Sequence, residues 1–436
     1  MSSSQAARRR IVITGLGVVS PLGLGPDSFW AKLSQGQSGI HAVGPEATAA
    51  PGNVGAEVPG FSEDVTKEIM PKKQRKFVRV MCREIELGVV AALSAVTHSG
   101  IDLDAIDHER FGVDFGANLM FSPPSVLKDA CWSVSEDTPH GRQFVYDRWG
   151  GQGMSVLEPL WLLKYLPNMP ACHIGIAVDA RGPNNSLTLD DASGNLAVGE
   201  ASRIIQRDRA DVMIAGTTGT KLHPVKTMHA ALWKDLAHGE GAPDTWCRPF
   251  DVGHTGEVVA EGACALLLEH IEHAERRGAT VFGEILGLGS SCATLPDGTA
   301  DTTSALSNAI RAALHDAGLA PEDVGHINAH GVAIPRIDAA EAAAIRRIFP
   351  AGVPVTGLKS YLGNAGAGSG VLELVGSLLG LRNGVIPKTL NFERPDPDCP
   401  LDVVGGEHRP TTNDVFLNIN VTRAGQASAL VVRATR

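Results

Sequence analysis

The stretch RRIVITGLGVVSPLG, residues 9–23, sets the expectation for the fold. Its β-branched run at 11–14 predicts a short buried strand that ends at Gly15. Asp27 follows at a position suited to cap a helix over 28–33. A strand that leads directly into a helix is the first unit of an α/β protein.

The same alternation continues outward from this stretch along the whole chain. Short apolar runs predict strands at 212–215 and 324–328. Helical spacing of apolar residues predicts helices at 192–206, 304–317, 338–349 and 372–381, with Gly318 placed to cap the second of these. We therefore predict the α/β fold class.

The segment 118–170 is less regular and holds three of the six tryptophans. A long irregular segment inside a compact protein usually has a function, such as covering a partner surface. A simple loop insertion explains the same pattern, and the sequence leaves both interpretations open.

The composition narrows the class of protein. With 436 residues, 43% of them hydrophobic, the chain can bury one large core or two fused ones. The net charge of -10 argues against nucleic-acid binding. The sequence has no apolar stretch of membrane-spanning length, and its first residues lack the apolar segment of a secretory signal. We expect a cytoplasmic protein.

Four stretches, in this order, resemble the elongating ketosynthases, the beta-ketoacyl-ACP synthases of fatty-acid and polyketide synthesis. They are residues 9–23, Arg248-Pro249-Phe250-Asp251 with Glu261-Gly262-Ala263 behind it, Asn328-Ala329-His330-Gly331, and Lys359-Ser360 with Gly363 and Gly366. The resemblance covers nearly the whole chain. It implies the thiolase fold, with two similar β/α halves in five layers, α-β-α-β-α. We place the N-terminal half at 1–270 and the C-terminal half at 271–436.

The resemblance also implies a chemistry. An elongating ketosynthase needs a cysteine thiolate that takes the acyl chain from acyl carrier protein. Counting from Gly182-Pro183 puts Asp191 at the cysteine position, with Asp190 and Ser193 as fallbacks if the register slips, and none of the seven cysteines falls in this window. Acyl transfer to a carboxylate would give a mixed anhydride, more reactive than the thioester that it came from. Independent condensation is therefore not expected.

The other site positions are altered too. Two histidines stabilise the enolate in such enzymes. Here His330 occupies the first position and Asn364 the second, and an amide can still donate a hydrogen bond. The resemblance equally allows both residues to be relics that fix loop geometry.

Three further residues complete the expected site. Arg423 aligns with the phenylalanine of the acyl-pocket gate, so we predict an ion pair between Arg423 and Asp191. Lys359 and Glu261 match positions that hold the site together, and we expect them to orient the catalytic loops by hydrogen bonds.

Three functions remain open. The first is a chain-length-factor-like partner of an active ketosynthase, although the best-known chain-length factors carry glutamine at the lost cysteine. The second is a stand-alone enzyme in which Asp191, its pKa raised by burial, acts with His330 and Asn364 in decarboxylation, hydrolysis or non-covalent condensation of a thioester.

The third function is a non-catalytic homodimer that binds acyl carrier protein or acyl-CoA. For all three we expect a phosphopantetheine-linked acyl or malonyl thioester as ligand and no resident cofactor or metal. The expected partners are acyl carrier protein and a second ketosynthase-fold chain, in a homodimer or a heterodimer.

Overall fold

The computed structural model describes residues 9–44 and 53–436. Within these ranges the strands are β1 Ile11–Ser20, β2 Gly23–Leu24, β3 His41–Ala42, β4 Val54–Gly55, β5 Phe111–Ala117, β6 Ser135–Thr138, β7 Gly141–Phe144, β8 Asn184–Leu187, β9 Val212–Thr220, β10 Glu261–His270, β11 Gly283–Cys292, β12 His326–Asn328, β13 Pro354–Thr356, β14 Val385–Ile386, β15 Asp402–Val403, β16 Arg409–Pro410, β17 Val415–Val421 and β18 Gln426–Ala434.

The α-helices in the same ranges are α1 Pro26–Ser34, α2 Glu63–Ile69, α3 Arg83–Ser99, α4 Pro124–Ser133, α5 Met154–Val156, α6 Met169–Val178, α7 Ser193–Gln206, α8 Pro224–Leu232, α9 Ile271–Arg276, α10 Thr302–Ala317, α11 Pro335–Ile348, α12 Lys359–Leu362 and α13 Ser369–Arg382. Short 3₁₀ turns join several of these elements.

The large sheet contains the same strand order twice. In the N-terminal half the order is β8-β5-β9-β10-β1, and in the C-terminal half it is β13-β12-β17-β18-β11, with β15 outside β13. Numbered along the chain within each half, both orders are third, second, fourth, fifth, first. The halves join where residues 11–13 of β1 pair with residues 283–285 of β11.

Helices cover this folded sheet in layers. α7 and α13 lie in the middle and contact strands of both halves. α3 and α6 pack on the outer face of the N-terminal half, and α10 and α11 on the outer face of the C-terminal half. Three hydrophobic clusters fill the spaces between these layers. The predicted α/β fold with five layers is therefore confirmed.

The first strand is longer than predicted. β1 continues through Gly15 to Ser20, with a bulge between Ile13 and Gly15. A Cβ on Gly15 would lie 2.3 Å from the carbonyl oxygen of Ala95, and a Cβ on Gly17 would lie 1.8 Å from that of Ala91. These glycines are therefore needed for close packing of α3 on the strand, and Gly15 does not end the strand.

Other predicted elements differ mainly at their ends. Helix α10 matches the predicted 304–317 closely, and Gly318 caps it with φ of 68° in the left-handed region. Strand β9 runs on to Thr220 because residues 212–220 all pair with β10. The irregular segment 118–170 contains α4, the hairpin β6–β7 and several short turns.

None of the helices in the described ranges is long and apolar enough to cross a membrane.

Candidate functional site

The Asp191 loop connects β8 to the central helix α7. A single 3₁₀ turn, Asp190–Ala192, precedes the first residue of α7, and the backbone N–H of Leu189 donates to Ser193 Oγ at 2.9 Å. Asp190 has φ of 47°, in the left-handed region that non-glycine residues seldom adopt. Asp191 is buried, with 5% of its surface exposed. The predicted nucleophile position therefore lies at the buried entry to the central helix.

Lys221 balances the Asp191 charge. Its Nζ lies 3.9 Å from Asp191 Oδ2 and 2.9 Å from Glu257 Oε2. Asp191 Oδ1 is buried and has no hydrogen-bond partner among the described residues. Burial alone would raise the pKa of Asp191, but the Lys221 ammonium holds that pKa below its usual value. The predicted raised pKa is therefore wrong, and Asp191 is a fixed negative charge.

The His330 loop is held by two buried carboxylates of the C-terminal half. The backbone N–H groups of His330 and Gly331 donate to Glu341 at 2.6 and 2.9 Å. Lys359 Nζ donates to the carbonyl oxygen of His330 at 2.8 Å and to Glu373 Oε1 at 2.5 Å. The loop geometry is therefore fixed by residues of its own half.

His330 is a neutral imidazole in this setting. Burial and the neighbouring Lys359 charge lower the pKa of His330 well below its usual value. Lys359 Nζ lies 3.3 Å from His330 Nδ1. Because an ammonium can only donate, Nδ1 is the acceptor and the ring proton belongs on Nε2.

Asn364 is held at both ends of its side chain. Its Nδ2 donates to Glu257 Oε2 at 2.6 Å, and its Oδ1 accepts from the N–H of Gly366 at 2.9 Å. Its backbone pairs with residues 258–260, next to the predicted Glu261. Glu257 thus receives hydrogen bonds from both Asn364 and Lys221.

The predicted pairing of Arg423 with Asp191 does not form. Arg423 Nη1 binds Asp235 Oδ2 instead, and its guanidinium carbon lies 4.4 Å from the centre of the Trp233 ring. Asp235 also accepts from Arg336 Nη2 at 2.7 Å. The prediction failed because Lys221 already balances Asp191, while the Asp235 carboxylate lies beside Arg423 of the loop between β17 and β18.

Glu261 also differs from its expected role. Its carboxylate binds Arg83, with Nε to Oε2 at 2.7 Å, and accepts from the N–H of Val58 at 2.9 Å. It therefore ties α3 to the segment before α2. Glu341 and Glu373 hold the His330 loop in the place where we expected Glu261 to act.

The cavity beside this site has a volume of about 720 Å³. Its lining residues are Asn118, Leu119, Phe121, Thr188, Leu189, Asp190, Lys221, Lys226, His229, Ala230, Trp233, Glu257, Thr422, Arg423, Ala424 and Gln426. Asp190 thus lines the cavity, whereas Asp191, His330 and Asn364 do not. The volume is in the range of small-molecule sites.

Each lysine or arginine that lines the cavity has a carboxylate partner. Lys221 pairs with Glu257, Arg423 pairs with Asp235, and Lys226 Nζ lies 3.0 Å from Glu84 Oε2. The lysine and arginine side chains among these lining residues are therefore all paired, and none is left free to bind an anionic group.

None of the cavity-lining residues is a cysteine. Cys247 lies near the site, with its Sγ 3.3 Å from the carbonyl oxygen of Lys359, but it is buried and burial raises the pKa of its thiol. A thiol with a raised pKa is a poor nucleophile.

Sequence reasoning missed Lys221, Glu257 and Asp235. A usable signal existed for two of them, since Lys221 follows directly on the apolar strand β9 and Glu257 precedes β10 by a few residues. A charge at the end of a buried strand needs a partner. For Asp235, in the loop after α8, the sequence offers no comparable signal.

In the described ranges, His, Cys, Asp and Glu side chains form no group of three or more that could hold a metal ion.

Comparison with known proteins places these features in one family. The model for the beta-ketoacyl synthase N-terminal domain matches residues 8–274, and that for the C-terminal domain matches residues 282–393. The chain is 32% identical to 3-oxoacyl-[acyl-carrier-protein] synthase 2 of Coxiella burnetii, over 98% of each chain. It is 33% identical to nodulation protein E of Rhizobium meliloti, over 91% of this chain and 92% of that one.

Two solved structures have the same fold over nearly the whole chain. A beta-ketoacyl synthase from Burkholderia phymatum superposes with a TM-score of 0.85 at 27% identity, covering 98% of this chain and 100% of that one. The ishigamide ketosynthase/chain length factor superposes with a TM-score of 0.83 at 26% identity, covering 99% and 100%. The strand order, the His330 and Lys359 loops and these matches together show that the chain belongs to the beta-ketoacyl synthase family.

Proposed function

We propose that this protein is a ketosynthase-like subunit of fatty-acid or polyketide synthesis that binds carrier-linked acyl thioesters, and that it acts beside an active ketosynthase in the manner of a chain-length factor. The observation that carries this proposal is Asp191 at the entry to α7, held as a charged carboxylate by Lys221. A carboxylate at this position cannot form a stable acyl-enzyme.

The contacts of Asn364 and Asp191 weigh against decarboxylation by this chain alone. An enolate that develops near Asn364 would compete for its N–H groups with the Glu257 carboxylate, to which Nδ2 donates at 2.6 Å, and the same amide contributes with Lys221 to the lowered pKa of Asp191. The new negative charge would also lie close to Asp191 and Glu257. Like charges in a buried site oppose each other, so decarboxylation through Asp191, His330 and Asn364 is disfavoured.

The relatives of this chain include both synthases and a ketosynthase/chain length factor. One solved relative, at 26% identity, is a ketosynthase/chain length factor. The curated relatives include several that are named as synthases. The proposal that this chain is not itself a synthase therefore depends on its own site residues, above all Asp191.

A second ketosynthase-fold chain is the first expected partner. Among the residues that the structure describes, β8 is the last strand of the sheet and pairs with β5 on one side only. An unpaired strand edge is a ready site for association with another chain. This edge supports association with a second ketosynthase-fold chain.

An acyl carrier protein is the second expected partner. The segment 71–80 forms a basic patch, and its five exposed basic side chains are Lys72, Lys73, Arg75, Lys76 and Arg79. This patch stands out on a chain with a net charge of -10. Basic surface attracts acidic partners and phosphate groups, and a phosphopantetheine arm carries such a phosphate.

The test begins with co-expression with a cysteine-bearing ketosynthase and a carrier protein from the same organism. We expect a 1:1 complex of the two ketosynthase-fold chains by size-exclusion chromatography with mass measurement. Condensation of malonyl-carrier by the complex should disappear when the partner loses its cysteine, and should survive Asp191→Asn.

Condensation or malonyl decarboxylation by this chain alone would contradict the proposal. If the 45.7 kDa chain forms a homodimer that binds acyl carrier protein but not the ketosynthase, the non-catalytic binding protein would be favoured instead.

A further inference from the structure

Asp190 has no part in the proposed partner function. It is nevertheless the acidic residue of the Asp191 loop that lines the cavity. Its neighbour Asp191 is buried behind it. A Cβ built on Gly366 would lie 2.9 Å from Asp190 Oδ1, so the carboxyl packs close to the backbone of the Asn364 loop. The Asp190 carboxyl therefore lies against the backbone of this loop at the cavity wall.

The backbone at Asp190 is in an uncommon conformation. Asp190 is the first residue of the 3₁₀ turn, and its φ of 47° lies in the left-handed region. Such outliers concentrate at functional sites, where the surrounding structure holds them. Here the outlier directs a carboxylate toward a cavity of about 720 Å³.

The two adjacent carboxylates have different proton affinities. Desolvation by the surrounding protein and the Asp191 charge raise the pKa of Asp190 to about 6, while Lys221 holds the pKa of Asp191 below its usual value. A pair of groups whose environments separate their pKa values is the pattern of acid–base sites. Asp190 is an ionised base above about pH 6 and gains a proton below it.

We propose that the cavity hydrolyses acyl thioesters, with Asp190 as the general base for the attacking water. This rests on the proposed function only in that an acyl thioester must enter the cavity. Asp190 is an exposed residue that lines the cavity, so a hydrolytic water can approach it from there. A condensing site must exclude such water, whereas a hydrolytic site requires it.

The step balances without any further reactant. Asp190 takes a proton from water as the oxygen forms a bond to the thioester carbonyl carbon. The tetrahedral intermediate then breaks its C–S bond, and the thiolate receives the proton from Asp190. The products are a carboxylic acid and a free pantetheine thiol, and Asp190 returns to its ionised form.

The test uses the full chain alone with the hexanoyl thioester of N-acetylcysteamine, and hexanoic acid is measured by chromatography. We expect saturable hydrolysis whose kcat/KM rises about tenfold per pH unit below about pH 6 and levels off above it. Asp190→Asn keeps the backbone preference for positive φ and should lower kcat/KM by at least about 100-fold.

Two matched variants guard the interpretation. Asp190→Gly accepts the same backbone angle without a carboxylate, and should lose hydrolysis to the same extent. Asp137→Asn changes an exposed aspartate on β6, away from the cavity, and should leave the rate and the pH profile unchanged. Melting temperatures within a few degrees of the wild type would show that both Asp190 variants fold.

Hydrolysis no faster than in buffer, or a folded Asp190→Asn variant with the wild-type rate and pH profile, would overturn the proposal. Neither result touches the partner function, which is read from complex formation and condensation with the active ketosynthase. Conversely, a hydrolase that binds no ketosynthase would overturn the partner function and leave the role of Asp190 intact.

Discussion

The two halves of the molecule share a scaffold but treat their site loops differently. In each half the first strand has a bulge followed by glycines packed under a helix, Gly15 and Gly17 under α3, and Gly287 and Gly289 under α10. The strand order is also the same. In both halves the strand packs so closely on the helix that a side chain at these glycines would collide with the helix backbone.

The site loops differ in how their charges are compensated. In the C-terminal half, Lys359 is paired with Glu373 beside a neutral His330, and all three are nearly inaccessible. In the N-terminal half, one lysine, Lys221, serves the carboxylates of Asp191 and Glu257 beside an open cavity. The C-terminal loop is therefore rigidly held, whereas the N-terminal loop shares one lysine between two carboxylates beside the cavity.

The strongest test of this difference is Lys359→Met in the C-terminal half. Lys359 is 1% exposed, and its loss leaves the Glu373 carboxylate buried without its partner. Removing one member of a buried pair costs about 3–5 kcal/mol. Urea unfolding followed by circular dichroism should show this loss. A loss below about 1 kcal/mol would contradict the rigid C-terminal loop.

Lys221→Met applies the same change to the N-terminal half. We expect a smaller loss, about 2–3 kcal/mol at pH 7, because the carboxylates lie beside a cavity where water can replace part of the lost pairing. Without Lys221 the pKa of Asp191 rises, so protonation relieves the repulsion and the loss should shrink as the pH falls from about 7 to about 5. Unfolding at both pH values checks this, and an unchanged loss would refute it.

Asp235→Asn tests the loop between β17 and β18, in which Arg423 lines the cavity. Asp235 binds both Arg336 and Arg423, which are half-exposed, so the expected loss is about 1 kcal/mol. The same change frees Arg423 from its place over Trp233, and the tryptophan emission should shift. Asp137→Asn, an exposed aspartate on β6, is the control. Unchanged emission would mean that another contact holds Arg423.

Asp190→Asn should have the smallest effect on stability, and it should be favourable. The pKa of Asp190 is raised to about 6 in the folded protein, so its ionised form opposes folding as the pH rises through about 4 to 6. The variant should therefore melt at a higher temperature than the wild type at about pH 8 and at the same temperature near pH 4. Melting curves at both values decide it, and a difference confined to the lower pH would contradict the sign.

Much of the scaffold could be predicted because its signals are local. The helical spacing at 304–317 and the glycine behind it predict α10 and its cap without reference to any other part of the chain. The full length of β1 could not be predicted in this way. Gly15 reads as a strand end until α3 is known to lie against it.

The site shows the same division. The positions of Asp191, His330 and Asn364 follow from neighbouring motifs, but their partners lie far away in sequence. Asp191 meets Lys221 from the end of β9, and Asn364 meets Glu257 from more than a hundred residues earlier. Ion pairs depend on which carboxylate lies nearest in space, so the predicted Arg423 partner was wrong.

The Glu257 carboxylate has a consequence for how the protein comes apart. It lies in the N-terminal half and accepts a hydrogen bond from Asn364 of the C-terminal half, deep in the site. If the halves separated, the buried Glu257 carboxylate and the buried Asn364 amide would both lose this hydrogen bond. The site therefore links the two halves. The amide protons of α7 and α13 should exchange with solvent only when both halves open in a single cooperative event.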